Sequence, residues 1–134
     1  MNRIWLRALA MGAAMVAADM AGAASTPAMQ ALHALEPGEW EVRERMPGAV
    51  ARRLCAVDLH QLLQLRHGRN SCKPFVVSDS PQSLIVTYDC AGAGNGRTAL
   101  RVETNRLAQI QTQGIADGAP FDMTFEARRV GACH

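Results

Sequence analysis

Leu84-Ile85-Val86-Thr87-Tyr88-Asp89-Cys90, the glycine-rich turn Gly92-Ala93-Gly94-Asn95-Gly96, and then Arg97-Thr98-Ala99-Leu100-Arg101-Val102-Glu103-Thr104 form the stretch that decides the fold class. Leu84, Val86 and Tyr88 recur every second residue, and Leu100 and Val102 resume that period after the glycines, as half-buried strands joined by a short connection do. On the C-terminal side, Leu107 to Gly114 follows Asn105-Arg106, and Phe121 to Arg129 follows Asp117-Gly118-Ala119-Pro120, with Phe121, Met123 and Phe125 facing inward. On the N-terminal side, Lys73 to Ser78 ends at Asp79-Ser80-Pro81. Earlier still, Trp40, Val42 and Met46 alternate with Glu41, Arg43 and Arg45 before Pro47-Gly48 turns the chain into Ala49 to Cys55. Glu44 falls on the apolar face of that first strand and reads as a strand-end residue reaching water.

Short links between successive strands predict an all-β domain. Its expected form is an antiparallel meander of about six or seven strands, curled into a curved sheet or partial barrel. One segment has a different period. Asp58 suits a helix N-cap, and Leu59, Leu62, Leu63 and Arg66 recur at helical spacing until Gly68, which predicts one short helix inserted between Cys55 and Cys72.

The first 23 residues have the three zones of an export signal: Arg3 and Arg7, the small and apolar run Ala8 to Ala18, and Ala21-Gly22-Ala23 at the cleavage position. The apolar run ends at Asp19, too short for the roughly 20 residues a membrane span needs. No cysteine at the cleavage point is available for acylation, so no stable membrane anchor is expected after cleavage. The expected organisation is a signal peptide over 1–23, a flexible or helical lead-in over 24–36, and a single β-domain over 37–134, delivered to the periplasm. Loss of Arg3, Arg7 and Asp19 leaves 12 cationic and 11 anionic side chains, a net charge of +1. A near-neutral balance of this kind gives no electrostatic basis for nucleic-acid binding.

Cys55, Cys72, Cys90 and Cys133 all follow the signal, so structural disulfides are expected. Four cysteines allow three connectivities. The sequential pairing of Cys55 with Cys72 and Cys90 with Cys133 is preferred because each bridge then closes its own segment.

No residue is assigned a catalytic role. Ser71, Ser78, Ser80 and Ser83 lie in no nucleophile elbow, and Asp117 and Asp122 sit at a hairpin connection. Gly92, Gly94 and Gly96 precede a strand and not a helix, so they read as a turn and not as a phosphate cradle. Cys55, His60, His67 and Cys72 contain zinc-type donors, but the spacing is wide and an oxidising compartment favours disulfides, so neither a metal nor another cofactor is expected. His60 and His67 are expected to be exposed. Most aromatic side chains are assigned to the core, which argues against a stacking platform.

Taken together, Pro37-Gly38-Glu39-Trp40-Glu41-Val42, a cysteine followed by a short helix, Cys72-Lys73, Val86-Thr87-Tyr88-Asp89-Cys90 and the ending Ala127-Arg128-Arg129-Val130-Gly131-Ala132-Cys133 resemble the domain of unknown function 3617 family. The resemblance spans the mature chain and implies a small exported β-rich protein of Gram-negative bacteria with no established activity. The middle strands, Thr98 to Gln113, lack the repetitive Gly, Thr and Met of that family. Tyr88-x-Cys90 before a glycine turn is similar to a motif of secreted lysozyme-inhibitor barrels. The expected function is non-catalytic: a binding or interaction module for a hydrophobic small molecule or an envelope protein, with Trp40, Val86, Tyr88, Met123 and Phe125 as ligand-facing or core residues. A secreted inhibitor of a cell-wall hydrolase, inserting the Gly92 to Gly96 loop, is the alternative, and a periplasmic hydrolytic or metal-dependent enzyme comes last.

Overall fold

The computed structural model describes residues 28–134, so the expected export signal over 1–23 lies outside the described residues. Seven antiparallel strands form one sheet: β1 (Gly38–Glu44), β2 (Arg52–Ala56), β3 (Lys73–Asp79), β4 (Ser83–Asp89), β5 (Gly94–Thr104), β6 (Leu107–Ala116) and β7 (Ala119–Gly131). Their order is β2-β1-β7-β6-β5-β4-β3. The meander expected from the short links holds from β3 to β7. The β1–β2 hairpin departs from it by docking on the far side of β7, where Trp40 faces Arg129 and Val42 faces Ala127.

This order places β2 and β3, which are consecutive in the chain, at opposite edges of the sheet. The connection between them, 57–72, must therefore cross the sheet. Leu62, Leu63, Leu65 and His67 are buried along the way. The crossing holds a 3-10 helix (Leu59–Leu63) rather than an α-helix, and Asp58 caps it by accepting the His60 amide at 3.0 Å. Arg53 to Cys55 of β2 and Pro74 of β3 line one cleft with this segment, so the two edges face each other across it.

The covered face carries the core. Trp40, Val42, Leu84, Val86, Leu100 and Ile110 are sealed from solvent beneath the crossing segment and beneath a short α-helix, α1 (Gln30–His33), whose Ala31 and Leu32 are buried, as is Leu35 just beyond it. The folded body thus begins before Pro37. Trp40 Nε1 donates to the Glu36 carbonyl at 3.1 Å, and the Glu36 carboxylate pairs with Arg106 at 3.0 Å and Arg129 at 3.8 Å, which binds the expected lead-in to the sheet. Met46, assigned above to the apolar face, is exposed, because β1 ends at Glu44 before reaching it. Glu44 itself is half-buried at the strand end, as expected.

The disulfides join Cys55 to Cys133 and Cys72 to Cys90, correcting the sequential pairing. Sheet register is the reason. Lys73 faces Asp89, so the next pair outward is Cys72 with Cys90, with Cα atoms 4.1 Å apart. Cys55 faces Glu39, which in turn faces Gly131, so the chain just beyond β7 meets the end of β2 across one intervening strand, with Cα atoms 5.4 Å apart. Loop entropy assigns the two bridges about 4.5 and about 3 kcal/mol, in the order given.

Candidate functional site

Row by row, the register shows how the covered face is filled. Tyr88 faces Gly96, Gly96 faces Gly114, and Gly114 faces Phe121, so two aromatic rings flank a notch with no side chains. His67 from the crossing segment occupies that notch, packing edge-on against Tyr88 at 5.2 Å and Phe121 at 5.7 Å between ring centroids. Gly96 is required by this packing, since a Cβ there would lie 2.4 to 2.8 Å from the Tyr88 phenol.

His67 is buried, contrary to the exposure expected from its helical spacing. Its Nε2 lies 3.0 Å from the Ile115 carbonyl oxygen, which can only accept, so Nε2 carries the proton. Nδ1 then accepts the Tyr88 hydroxyl at 3.1 Å. Beside this pair, the Thr98 hydroxyl donates to the Leu63 carbonyl at 2.6 Å and lies 2.9 Å from the Thr112 hydroxyl. Among the described residues no buried side-chain polar atom lacks a partner. Burial pushes the Tyr88 phenol above its usual pKa, against the hydroxyls of Thr112 and Thr98 and the charge of Arg66, which pull it down. The period-two strand pattern gave no sign of His67, because its role depends on a segment arriving from the opposite edge.

The five candidate residues divide between the core and a cleft wall. Trp40 and Val86 have no accessible surface, and Tyr88 and Phe125 have almost none. Met123 is partly buried and shares with Phe125 the wall of an open cleft of about 260 Å³ near the β1–β2 turn. The four cysteines are all bridged. Cys55 and Cys72 belong to different disulfides and His67 is committed to Tyr88 and Ile115, so the zinc-type set is dispersed. The Gly92 to Gly96 segment does not project as a free loop. Ala91–Ala93 make one 3-10 turn, Gly94 already belongs to β5, and the Ala93 carbonyl accepts the Asp117 amide at 3.3 Å.

The opposite, solvent-facing side of the sheet carries a shallow trough of about 760 Å³ that sequence reading missed. Phe75, Thr87, Arg97, Gln113 and Asp122 lie in register across β3 to β7, with Lys73, Asp89 and Asn95 in the adjoining row. Phe75 is 71% exposed. Lys73, Arg97 and Asp122 form no ion pair within 4.0 Å among the described residues, so their charges face solvent uncommitted. The arrangement is chemically suited to recognition, with one large apolar contact and fixed groups of both signs around it. Phe75 is exposed because it pairs with Thr87 on the uncovered face of the sheet, at the edge strand β3. Compared with family models, curated proteins and solved structures, the chain matches none.

Proposed function

We propose that this chain is an exported, non-catalytic binding module of the bacterial envelope, and that it engages a protein partner through the trough centred on Phe75. The observation that carries this reading is the exposed Phe75 ring among uncommitted charges on a flat sheet face. Large aromatic side chains ringed by polar groups are the usual anchors of protein interfaces. Two disulfides are compatible with an oxidising compartment, and the resemblance of the Pro37-Gly38-Glu39-Trp40-Glu41 opening to the domain of unknown function 3617 family points the same way. A photo-crosslinking residue placed at position 75 should give a discrete protein adduct in living cells, abolished by Arg97→Glu. The same residue at position 43, on the far hairpin, should not. Identical adducts from both positions would remove the basis for the proposal.

A small hydrophobic ligand is the second reading, and the cleft beside Met123 and Phe125 favours it. Native mass spectrometry of protein taken from its own periplasm decides the point: a retained ligand mass, lost in Met123→Ala, is required.

A further inference from the structure

Charge along this chain is concentrated in one stretch of sequence, although Lys73 at its end belongs to the Phe75 trough and Arg53 pairs with Glu39 at 3.4 Å. Residues 52–73 hold five Lys or Arg against one Asp, a net of +4, whereas the rest of the chain after residue 23 is net −3. Elsewhere, Arg101, Arg106, Arg128 and Arg129 each sit 3.0 to 3.8 Å from a glutamate. Arg66 and Arg69 have no such neighbour among the described residues and are exposed. The single acid of the segment, Asp58, accepts the His60 amide at 3.0 Å and lies 2.7 Å from the His60 ring.

Two separate open clefts are lined by β2 and the crossing segment. Arg66 lines one with Met46 and Val50, and Arg69 lines the other with Arg53. Two aliphatic side chains flanking β2 are unusually bare: Val50, in the cleft of Arg66, is 87% exposed, and Val57, beside the Asp58 and His60 of the other cleft, is 73% exposed. Cations interleaved with exposed aliphatic groups fit a surface that is negatively charged outside and apolar beneath. A nucleic acid would use the cations and leave the valines in water, and the patch carries no exposed aromatic ring for stacking bases.

We infer that the face built from the β1–β2 turn, β2 and the crossing segment docks on an anionic phospholipid surface. Arg66 and Arg69, which have no acidic partner within 4.0 Å among the described residues, meet the headgroups, and Met46, Val50 and Val57 reach the acyl boundary. Binding of this kind is peripheral and salt-sensitive, and it leaves the Phe75 trough, on the other face of the sheet, free for a partner.

The test is cosedimentation of the chain, as recovered from its host, with phosphatidylcholine vesicles that contain or lack phosphatidylglycerol, at low and high salt. Variants are compared with matched N-termini, so any contribution from the leader is common to all. The wild type should bind only vesicles containing phosphatidylglycerol and should come off in high salt. Arg66→Gln with Arg69→Gln should weaken partitioning about fivefold per cation removed. Val50→Ser with Val57→Ser should weaken it at unchanged charge, and Arg101→Gln with Arg128→Gln should leave it unchanged. All three double variants alter exposed side chains, and thermal unfolding verifies that each is folded. No binding to either vesicle overturns the inference. So does equal binding to both, equal loss in the Arg101/Arg128 control, or tighter binding to a DNA oligonucleotide than to the vesicles.

Discussion

At the scale of single residues, His67 and Tyr88 are coupled through one hydrogen bond and one ring contact, and each predicts a measurable consequence. His67→Ala removes a buried ring together with its hydrogen bonds to the Ile115 carbonyl and the Tyr88 hydroxyl, and should cost about 3–5 kcal/mol in urea unfolding. Tyr88 is the sole tyrosine, so the ultraviolet absorbance of phenolate reports this group alone. Because burial raises its folded-state pKa above the unfolded value, its contribution to stability is full below about pH 10 and is lost as pH rises through the folded pKa. Alkaline titration should therefore show the phenol ionising later in the native protein than in urea, together with a fall in stability. Coincident native and denatured titrations would contradict the burial account. Asp58 and Glu126 act at the other end of the pH range. Hydrogen bonds from the His60 amide and from Gln109 lead the causes that hold their carboxyls below the ordinary values, so their small, solvent-screened contributions are present at neutral pH and fade as pH falls through those lowered values.

At the scale of elements, the crossing segment is the part of the chain on which the rest depends. It closes the covered face, delivers His67 to the glycine notch, and is held at its two ends by different bridges, through Cys55 to the end of β7 and through Cys72 to the end of β4. Peptide mapping under non-reducing conditions should recover Cys55 with Cys133 and Cys72 with Cys90. Replacing Cys72 and Cys90 by Ser should cost about 3 kcal/mol, and replacing Cys55 and Cys133 should cost about 4.5 kcal/mol because the closed loop is longer. Equal losses from the two pairs would show that loop length is not what sets them.

At the scale of the whole molecule, an open sheet must manage two free edges. β2 is only five residues long and carries Arg52 and Arg53. On β3, the bond from the Cys90 amide to the Gly94 carbonyl sets the phase of the β4–β5 ladder, and with it Pro74 and Val76 turn their main-chain groups to the open side. Pro74 therefore removes a donor from that side, a bulge after Val76 breaks the register, and Lys73 adds charge. Lys73→Val with Pro74→Val should produce concentration-dependent self-association in sedimentation velocity, beyond whatever the wild type shows. Unchanged sedimentation would mean that the edge is guarded by something else.

Local chemistry alone made the all-β class, the strand positions, the turn residues, the Asp58 cap and the engagement of all four cysteines in bridges legible, because a period of two, a glycine and an N-cap are properties of neighbouring residues. Tertiary structure decided which cysteine meets which, why His67 is buried, why Phe75 is not, and where Arg66 and Arg69 sit. The Cys72–Cys90 bridge and the outward face of Phe75 follow from the β3–β4 register, whereas the Cys55–Cys133 bridge and the burial of His67 follow from the β1–β2 hairpin pairing with β7 instead of β3. That choice rests on contacts between segments some 85 residues apart, such as Trp40 with Arg129 and Val42 with Ala127, and it forces the connection after β2 to cross the sheet.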